Sequence, residues 1–221
     1  RTRIDMDMGL KISDMNDLLK FLPDAYFQNR DKTLAEGSIL VEGSIHGFLE
    51  DSIMPNVNLC CKIENGSYHI KDIKQGIDML EMDLDIHLNG PFPDSSFVSL
   101  ERLTMRGLDT SLDMQAKITN LFKNPAVQAG MKGKVNFTRL GQEFLNPDTL
   151  LVEGVMNADL STAITVDDLV ESRFGKIHSS GRLTIDNLKA FSQPLDMDLF
   201  ISGAHLAIDS THQKSRYIEV Q

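Results

Sequence analysis

The sequence predicts a mainly β protein: a long, curved antiparallel sheet, formed as a groove or as a half-closed barrel or sandwich, with two or three short helices. Apolar and polar residues alternate along most of the 221 residues, as in strands with one dry face and one wet face. Turn residues interrupt this alternation repeatedly, and helical periodicity is confined to short pieces.

The clearest strand is LEMDLDIHLNG, residues 80–90. Its apolar residues share one side of an extended chain, and its acidic residues share the other. The same alternation recurs in RIDMDMGLKI, SLDMQAKIT and LDMDLFIS. The candidate residues for lining an apolar surface come from three of these strands: Leu80, Met82, Leu84, Ile86, Leu88, Leu112, Met114, Ile118, Met197 and Leu199.

Turn and bend signals divide the strands. Asn65-Gly66 predicts a tight hairpin, and further turns are expected at Asn89-Gly90-Pro91, Asn124-Pro125 and Asn146-Pro147. Isolated glycines inside strand patterns predict bulges or bends, which a curling sheet needs. These glycines are Gly37, Gly43, Gly47, Gly133, Gly154 and Gly181.

The short helices have recognisable ends. SDMNDLLKFLP has a cap at Ser13 or Asp14 and a stop at Pro23, and TVDDLVESRFG has the capping-box pair Thr165 and Asp168. TRLGQEFL is a weaker third case. Because a strand leads into each helix, we expect a single β-rich segment over residues 1–221, built of repeated strand–short helix–strand units at about 1–47, 48–130 and 131–221.

Composition limits the function. A net charge of −10 disfavours nucleic acid and anionic membrane surfaces as partners.

Three carboxylate pairs lie opposite apolar stripes: Asp5/Asp7, Asp83/Asp85 and Asp196/Asp198. We therefore expect these pairs on a solvated face and not as calcium ligands or an acid–base pair. The six histidines are scattered. No catalytic residue, metal ligand or cofactor is predicted, and the chain is expected not to be an enzyme.

Cys60 and Cys61 are neighbours, so in a strand they point to opposite faces. They are interpreted as two buried thiols packed as small hydrophobes.

The 11 methionines and the absence of Trp favour an apolar surface that adapts to flexible acyl chains over one that stacks on flat sugars. The alternative, that methionine only fills a core, remains open at this point.

The segments DLLKFLP, EGSILVEGSIHG and VDDLVESRFGKIHSSGRLTIDNL resemble the AsmA family, as does TNLFKNPAVQAGMKGKVNFTRLGQEF. The resemblance covers roughly residues 10 to 208. It implies a Gram-negative envelope protein that is related to TamB-like proteins, is anchored in the inner membrane and has a periplasmic part with an apolar β-groove. It further implies a role in outer-membrane biogenesis and lipid transport, with phospholipid or another acyl lipid as ligand and other envelope proteins as potential partners.

The chain begins at Arg1 and has no apolar run of about 18 residues, so we expect a fragment of a longer protein. The resemblance further implies that this fragment is a periplasmic segment whose N-terminal anchor lies upstream. The alternative is a structural or adhesive β-sandwich of the bacterial cell surface, in which the apolar stripes fill a closed interior and no lipid is bound.

Overall fold

The computed structural model of the chain describes residues 2–19, 32–50, 54–70, 76–146, 148–171, 173, 178–192, 197–208 and 216–220. It confirms the predicted class, since antiparallel strands form most of the described chain. The strands are β1 (Thr2–Ile12), β2 (Thr33–Leu49), β3 (Asn56–Ile70), β4 (Gly76–Leu88), β5 (Phe97–Gly107), β6 (Thr110–Thr119), β7 (Ala126–Asn136), β8 (Leu150–Thr165), β9 (His178–Ser192), β10 (Met197–Ile208) and β11 (Arg216–Val220). The helices are α1 (Met15–Leu19), α2 (Phe137–Phe144) and α3 (Val166–Val170), with a 3-10 turn at Pro93–Ser95.

All these strands belong to one sheet, and each pairs with its neighbours in chain order from β1 to β11. Within the described residues the sheet is open, because β1 pairs with β2 alone. A sandwich with a closed interior needs a second sheet, and the described strands supply none. The sheet also continues without interruption across the expected unit boundaries near residues 47 and 130.

Two of the three short helices lie at the same end of the sheet. Because neighbouring strands are antiparallel, β1 and β7 end on the same side, and α1 and α2 follow them there; α3 follows β8 at the opposite end. We call the end that carries α1 and α2 the packed end. Its hydrophobic core consists of Ile12, Met15, Ala35 and Ile39, with Tyr68 packed against it. Ile70, Ile77, Leu108, Leu112 and Val135 are also buried towards this end.

The predicted hairpin at Asn65-Gly66 is wrong. β3 runs through both residues, and the register with β2 and β4 shifts there instead. Asn65 has a φ of 51°, the left-handed conformation that Asn tolerates well. Asn-Gly serves here as a β-bulge, which uses the same backbone freedom as a tight turn. The predicted strand NLCCKIE and the first four residues of SYHIKDI are therefore parts of β3, and the last three residues of SYHIKDI lie outside the described residues.

Of the six strand glycines for which bulges or bends were predicted, Gly37 and Gly154 lie at register shifts. Apart from Gly43, the predicted positions have φ values between 105° and 137°. At Gly133 an added Cβ would lie 1.8 Å from the Ser111 carbonyl oxygen on the next strand, so this site requires glycine.

The helix caps also agree with the sequence. The Asn16 N–H donates to Asp14 Oδ1 at 2.9 Å. The Asp168 N–H donates to Thr165 Oγ1 at 3.2 Å, which is the side-chain-to-backbone bond of the predicted capping box. Thr165 Oγ1 in turn donates to Asp168 Oδ2 at 2.7 Å. In α2 the cap is Asn136, whose side chain accepts from the Arg139 N–H at 3.0 Å. The predicted stop at Pro23 lies outside the described residues.

Candidate functional site

The strand register assembles one apolar face from residues far apart in the chain. Directly paired residues lie on the same side of a sheet, so the pairs can be followed from strand to strand. One row crosses the sheet from β1 to β9: Ile12, Ile39, Ile63, Met82, Leu103, Met114, Met131, Leu160 and Gly181. A second row runs from β1 to β8: Met8, Gly43, Leu59, Ile86, Val98, Ile118, Val127 and Ile164. We call this side the apolar face.

The predicted lining residues on β4 and β6 all belong to this face, where Leu103 of β5 joins Met82 to Met114. Leu112 is buried towards the packed end, whereas the other candidates on these two strands are half-buried. On β10, Leu199 is exposed and pairs with Ala190. The side chain of Met197 lies outside the described residues.

Leu103, Met131 and Leu160 complete the central row but were missed from sequence. The alternation of apolar and polar residues is interrupted before Leu103, because two consecutive charged residues, Glu101 and Arg102, separate it from Leu100. A bulge between Leu100 and Leu103 absorbs the extra residue and returns both leucines to the apolar face.

The middle of the apolar face carries no second layer within the described residues. There each strand packs mainly against its sheet neighbours, while the helices pack on β1, β2 and β8. Large apolar side chains stay partly open to solvent as a result, including Met82, Leu84, Met114 and Met131. An apolar surface of this extent usually marks a contact with another apolar body.

The opposite, polar face carries a ladder of cross-strand charges. One row consists of Glu81, Thr104, Asp113, Lys132, Asp159 and Arg182. Arg102 pairs with Glu81 at 2.9 Å and Arg106 with Asp113 at 2.6 Å. The second contact holds the pKa of the Asp113 carboxyl below its ordinary value, with Thr104 adding a hydrogen bond.

Grooves open on this polar face, with volumes of about 850, 560 and 430 Å³. The two larger grooves share Glu101, Gln115, Gly130 and Ser161. Gly130 and Ser161 are small and stand beside long side chains such as Lys132, so the difference in side-chain size creates the depth of the groove. The 850 Å³ groove is lined by charged and hydroxyl-bearing residues together with the strand segments that carry Leu103, Met114, Met131 and Leu160. Its lining is therefore mixed, whereas the sequence predicted a groove lined by hydrocarbon.

His46 contacts two carboxylates, an arrangement that the scattered positions of the histidines in the sequence did not predict. Its Nδ1 contacts Asp5 and its Nε2 lies 3.0 Å from Asp7 Oδ1, so the imidazole of β2 bridges both carboxylates of β1. Hydrogen bonding to Asp5 raises the pKa of His46. The pKa of Asp5 is lowered by His46 first and then by Arg3. Asp5 and Asp7 are exposed, as predicted for a solvated face.

Cys60 and Cys61 point to opposite faces, as predicted, but both are half-buried and free. Cys61 pairs with Val41 and Leu84 on the apolar face. The interpretation of Cys60 as a packed hydrophobe is wrong, because it lies on the polar face beside Asp85.

Cys60, Asp83 and Asp85 offer potential ligand atoms within 4.8 Å of one another. However, Lys62 Nζ already lies 3.1 Å from Asp83 Oδ2. Burial, followed by the hydrogen bond to Asp85, raises the pKa of the Cys60 thiol, so at neutral pH the group is a protonated thiol. Of the remaining carboxylate pair, Asp196 lies outside the described residues and Asp198 is exposed.

Comparison of the chain with protein-family models, with curated proteins and with solved structures finds no match. Among the described residues, each helix falls short of the length and apolarity that crossing a membrane requires.

Proposed function

We propose that the chain is a non-enzymatic, AsmA-type protein of the Gram-negative envelope that holds the acyl chains of phospholipid against its apolar face and takes part in outer-membrane biogenesis. In this proposal it acts in the periplasm, as part of a longer protein anchored in the inner membrane. The observation that carries the proposal is the row of apolar side chains from Ile12 on β1 to Leu160 on β8, with its partly exposed middle.

The energetics favour hydrocarbon as the occupant. Moving an acyl chain through water exposes apolar surface at about 0.8 kcal/mol per CH₂ group. The half-buried side chains of the central row expose the same kind of surface in the unliganded protein. Contact between the two removes both surfaces from water, and the flexible methionines Met82, Met114 and Met131 can adjust to an irregular chain.

The polar face supports the same proposal from its other side. Its row of charged side chains favours contact with water on one side of the sheet while the other side stays apolar, because Glu81, Lys132 and Asp159 remain hydrated. A lipid held on the apolar face would leave the polar face wet. The proposal requires no nucleophile, metal or cofactor.

The direct test is native mass spectrometry of the purified chain, together with displacement of a fluorescent fatty-acid probe by phospholipid. We expect copurified phospholipid and saturable probe binding. A ligand-free chain that also fails to bind the probe would overturn the proposal.

A matched pair of variants locates the binding surface. Met114 and Gln115 are neighbours on β6 and point to opposite faces, so Met114→Asp and Gln115→Asp introduce the same charge on the two sides of one strand. We expect Met114→Asp to weaken probe binding at least about tenfold and Gln115→Asp to leave it nearly unchanged. Circular dichroism verifies that both variants remain folded. Equal losses in the two variants would argue against the apolar face as the site.

A further inference from the structure

Within the described residues, β1 is a long edge strand that lacks the short length, the bulge and the proline by which many edge strands avoid pairing. It runs for 11 residues and pairs with β2 in a regular register from Thr2↔Leu49 to Ile12↔Ile39, without a bulge. It contains no proline. Natural edge strands are protected by short length, bulges, proline, a covering element or charged side chains, especially lysine. Of these devices β1 has charged side chains, Arg3, Asp5, Asp7 and Lys11, and because both signs are present they can pair with a strand of complementary charge. Within the described residues its outer backbone groups have no strand partner.

The apolar residues of β1 are open on their outer side. Met6, Met8 and Leu10 expose 43%, 46% and 53% of their surface, respectively. Residues of the same rows on interior strands, such as Ile86 and Leu84, are half-buried because a neighbouring strand flanks them on each side. The free edge therefore combines unpaired backbone groups with an unfinished apolar face, and a further strand would complete both.

The charge pattern of β1 fits a second copy of β1 in one antiparallel register. Centring the pair on Met8 places Asp5 opposite Lys11 of the second copy, and the two-fold symmetry repeats this pair. The apolar residues then match as Ile4 with Ile12, Met6 with Leu10 and Met8 with Met8. Moving the centre by one residue to Asp7 sets Arg3 against Lys11 and Asp7 against itself, which is repulsive. Centring on Gly9 keeps one attractive charge pairing but shortens the overlap.

We propose that the chain forms a two-fold dimer through antiparallel β1–β1 pairing centred on Met8. The two sheets become one, and their apolar faces become continuous. Opposite-charge cross-strand pairs stabilise sheets and like-charge pairs destabilise them. The Asp5–Lys11 pairs therefore favour this register over the one centred on Asp7, and the longer overlap favours it over the one centred on Gly9. The dimer does not depend on the lipid proposal, since backbone pairing at the edge would form with or without a bound acyl chain.

The test is a charge-reversal cycle on the full chain, measured by sedimentation equilibrium. Lys11→Glu and Asp5→Lys each convert two attractive pairs into repulsive ones, so each should weaken dimerisation at least about tenfold. Because Asp5→Lys also removes the contacts of Asp5 with Arg3 and His46, circular dichroism verifies that this variant remains folded. The double variant restores opposite charges and should recover most of the affinity. Lys134→Glu on the interior strand β7 makes the same charge change away from the edge and should have no effect.

Cross-linking provides an independent measure of the register. In a Cys60→Ser/Cys61→Ser background, Met8→Cys should form an intermolecular disulfide on mild oxidation, because paired Cα atoms lie about 5 Å apart. Met6→Cys should not, since its counterpart is displaced by four residues. A monomer at all concentrations, a dimer insensitive to the edge charges, or cross-linking at Met6→Cys but not at Met8→Cys would overturn the proposal.

Discussion

At the scale of single residues, His46 is the side chain with the most defined electrostatic role. It joins β2 to the edge strand β1 by contacting Asp5 and Asp7 together. The groups around it on β1 are these two carboxylates and Arg3, and its partner on β3 is Asn56. Because the pair is exposed to solvent, its effect should be visible as a pH dependence and not as a large share of the total stability.

The sign of that dependence follows from the two pKa shifts. The pKa of His46 is raised above its ordinary 6.5, so its stabilising contribution is complete below pH 6.5 and is lost as the pH rises through the raised value. The pKa of Asp5 is lowered below 3.8, so its contribution is complete above pH 3.8 and is lost as the pH falls further. We expect the melting temperature of the native chain to exceed that of His46→Gln most between pH 3.8 and 6.5. A difference that grows towards alkaline pH would contradict this assignment.

At the scale of elements, β-bulges keep apolar side chains on one face of the sheet where strict alternation would place them on the other. The bulge at Glu101-Arg102 keeps Leu100 and Leu103 on one face, and the bulge at Asn65-Gly66 does the same for Ile63 and Tyr68. Each bulge absorbs an irregular number of polar residues between two apolar ones. Without it, every later side chain of the strand would change sides.

The capping box of α3 can be tested with a matched pair of substitutions. Thr165→Ala removes the hydroxyl that bonds Asp168 in both directions, so it should destabilise the chain by about 1 kcal/mol. Thr165→Ser keeps the hydroxyl and should cost much less. Urea denaturation measures the free energy of unfolding of both variants, and amide exchange at Asp168 reports the cap itself. Equal stability of the two variants would mean that the cap contributes nothing.

At the scale of the whole molecule, stability and binding surface are separated along the strands. The packed end holds the core around Ile12, Ala35 and Ile39, beneath α1. The middle of the sheet leaves its apolar face partly open. An open single-layer sheet can leave the middle of its apolar face uncovered because neighbouring strands satisfy the backbone hydrogen bonds of its interior strands without a second layer.

Two leucine truncations on adjacent strands measure this division. Leu112 is buried on β6, and Leu103 on β5 is half-buried in the middle of the apolar face. Leu112→Ala should therefore lower the free energy of unfolding by about 3 kcal/mol, and Leu103→Ala by about 1 kcal/mol. Chemical denaturation of the two variants provides the comparison. A larger loss for Leu103→Ala would show that this part of the sheet is covered in solution.

The sequence by itself determined the local properties of the chain. Alternation identified the strands and the side on which Met82 and Met114 would lie, and cap residues such as Thr165 located the short helices. These features were predictable because pleating and capping depend on neighbours within a few residues. The hairpin at Asn65-Gly66 was mispredicted because a tight turn and a bulge use the same backbone conformation.

Only the tertiary structure decided which strands pair, and with it the continuity of the apolar face, the grooves on the polar face and the bridge from His46 to Asp5. These features depend on the register between strands, which brings together residues as distant in the chain as positions 5 and 46. Register depends on many cross-strand contacts and on bulges, and it therefore cannot be read from any single stretch of the sequence.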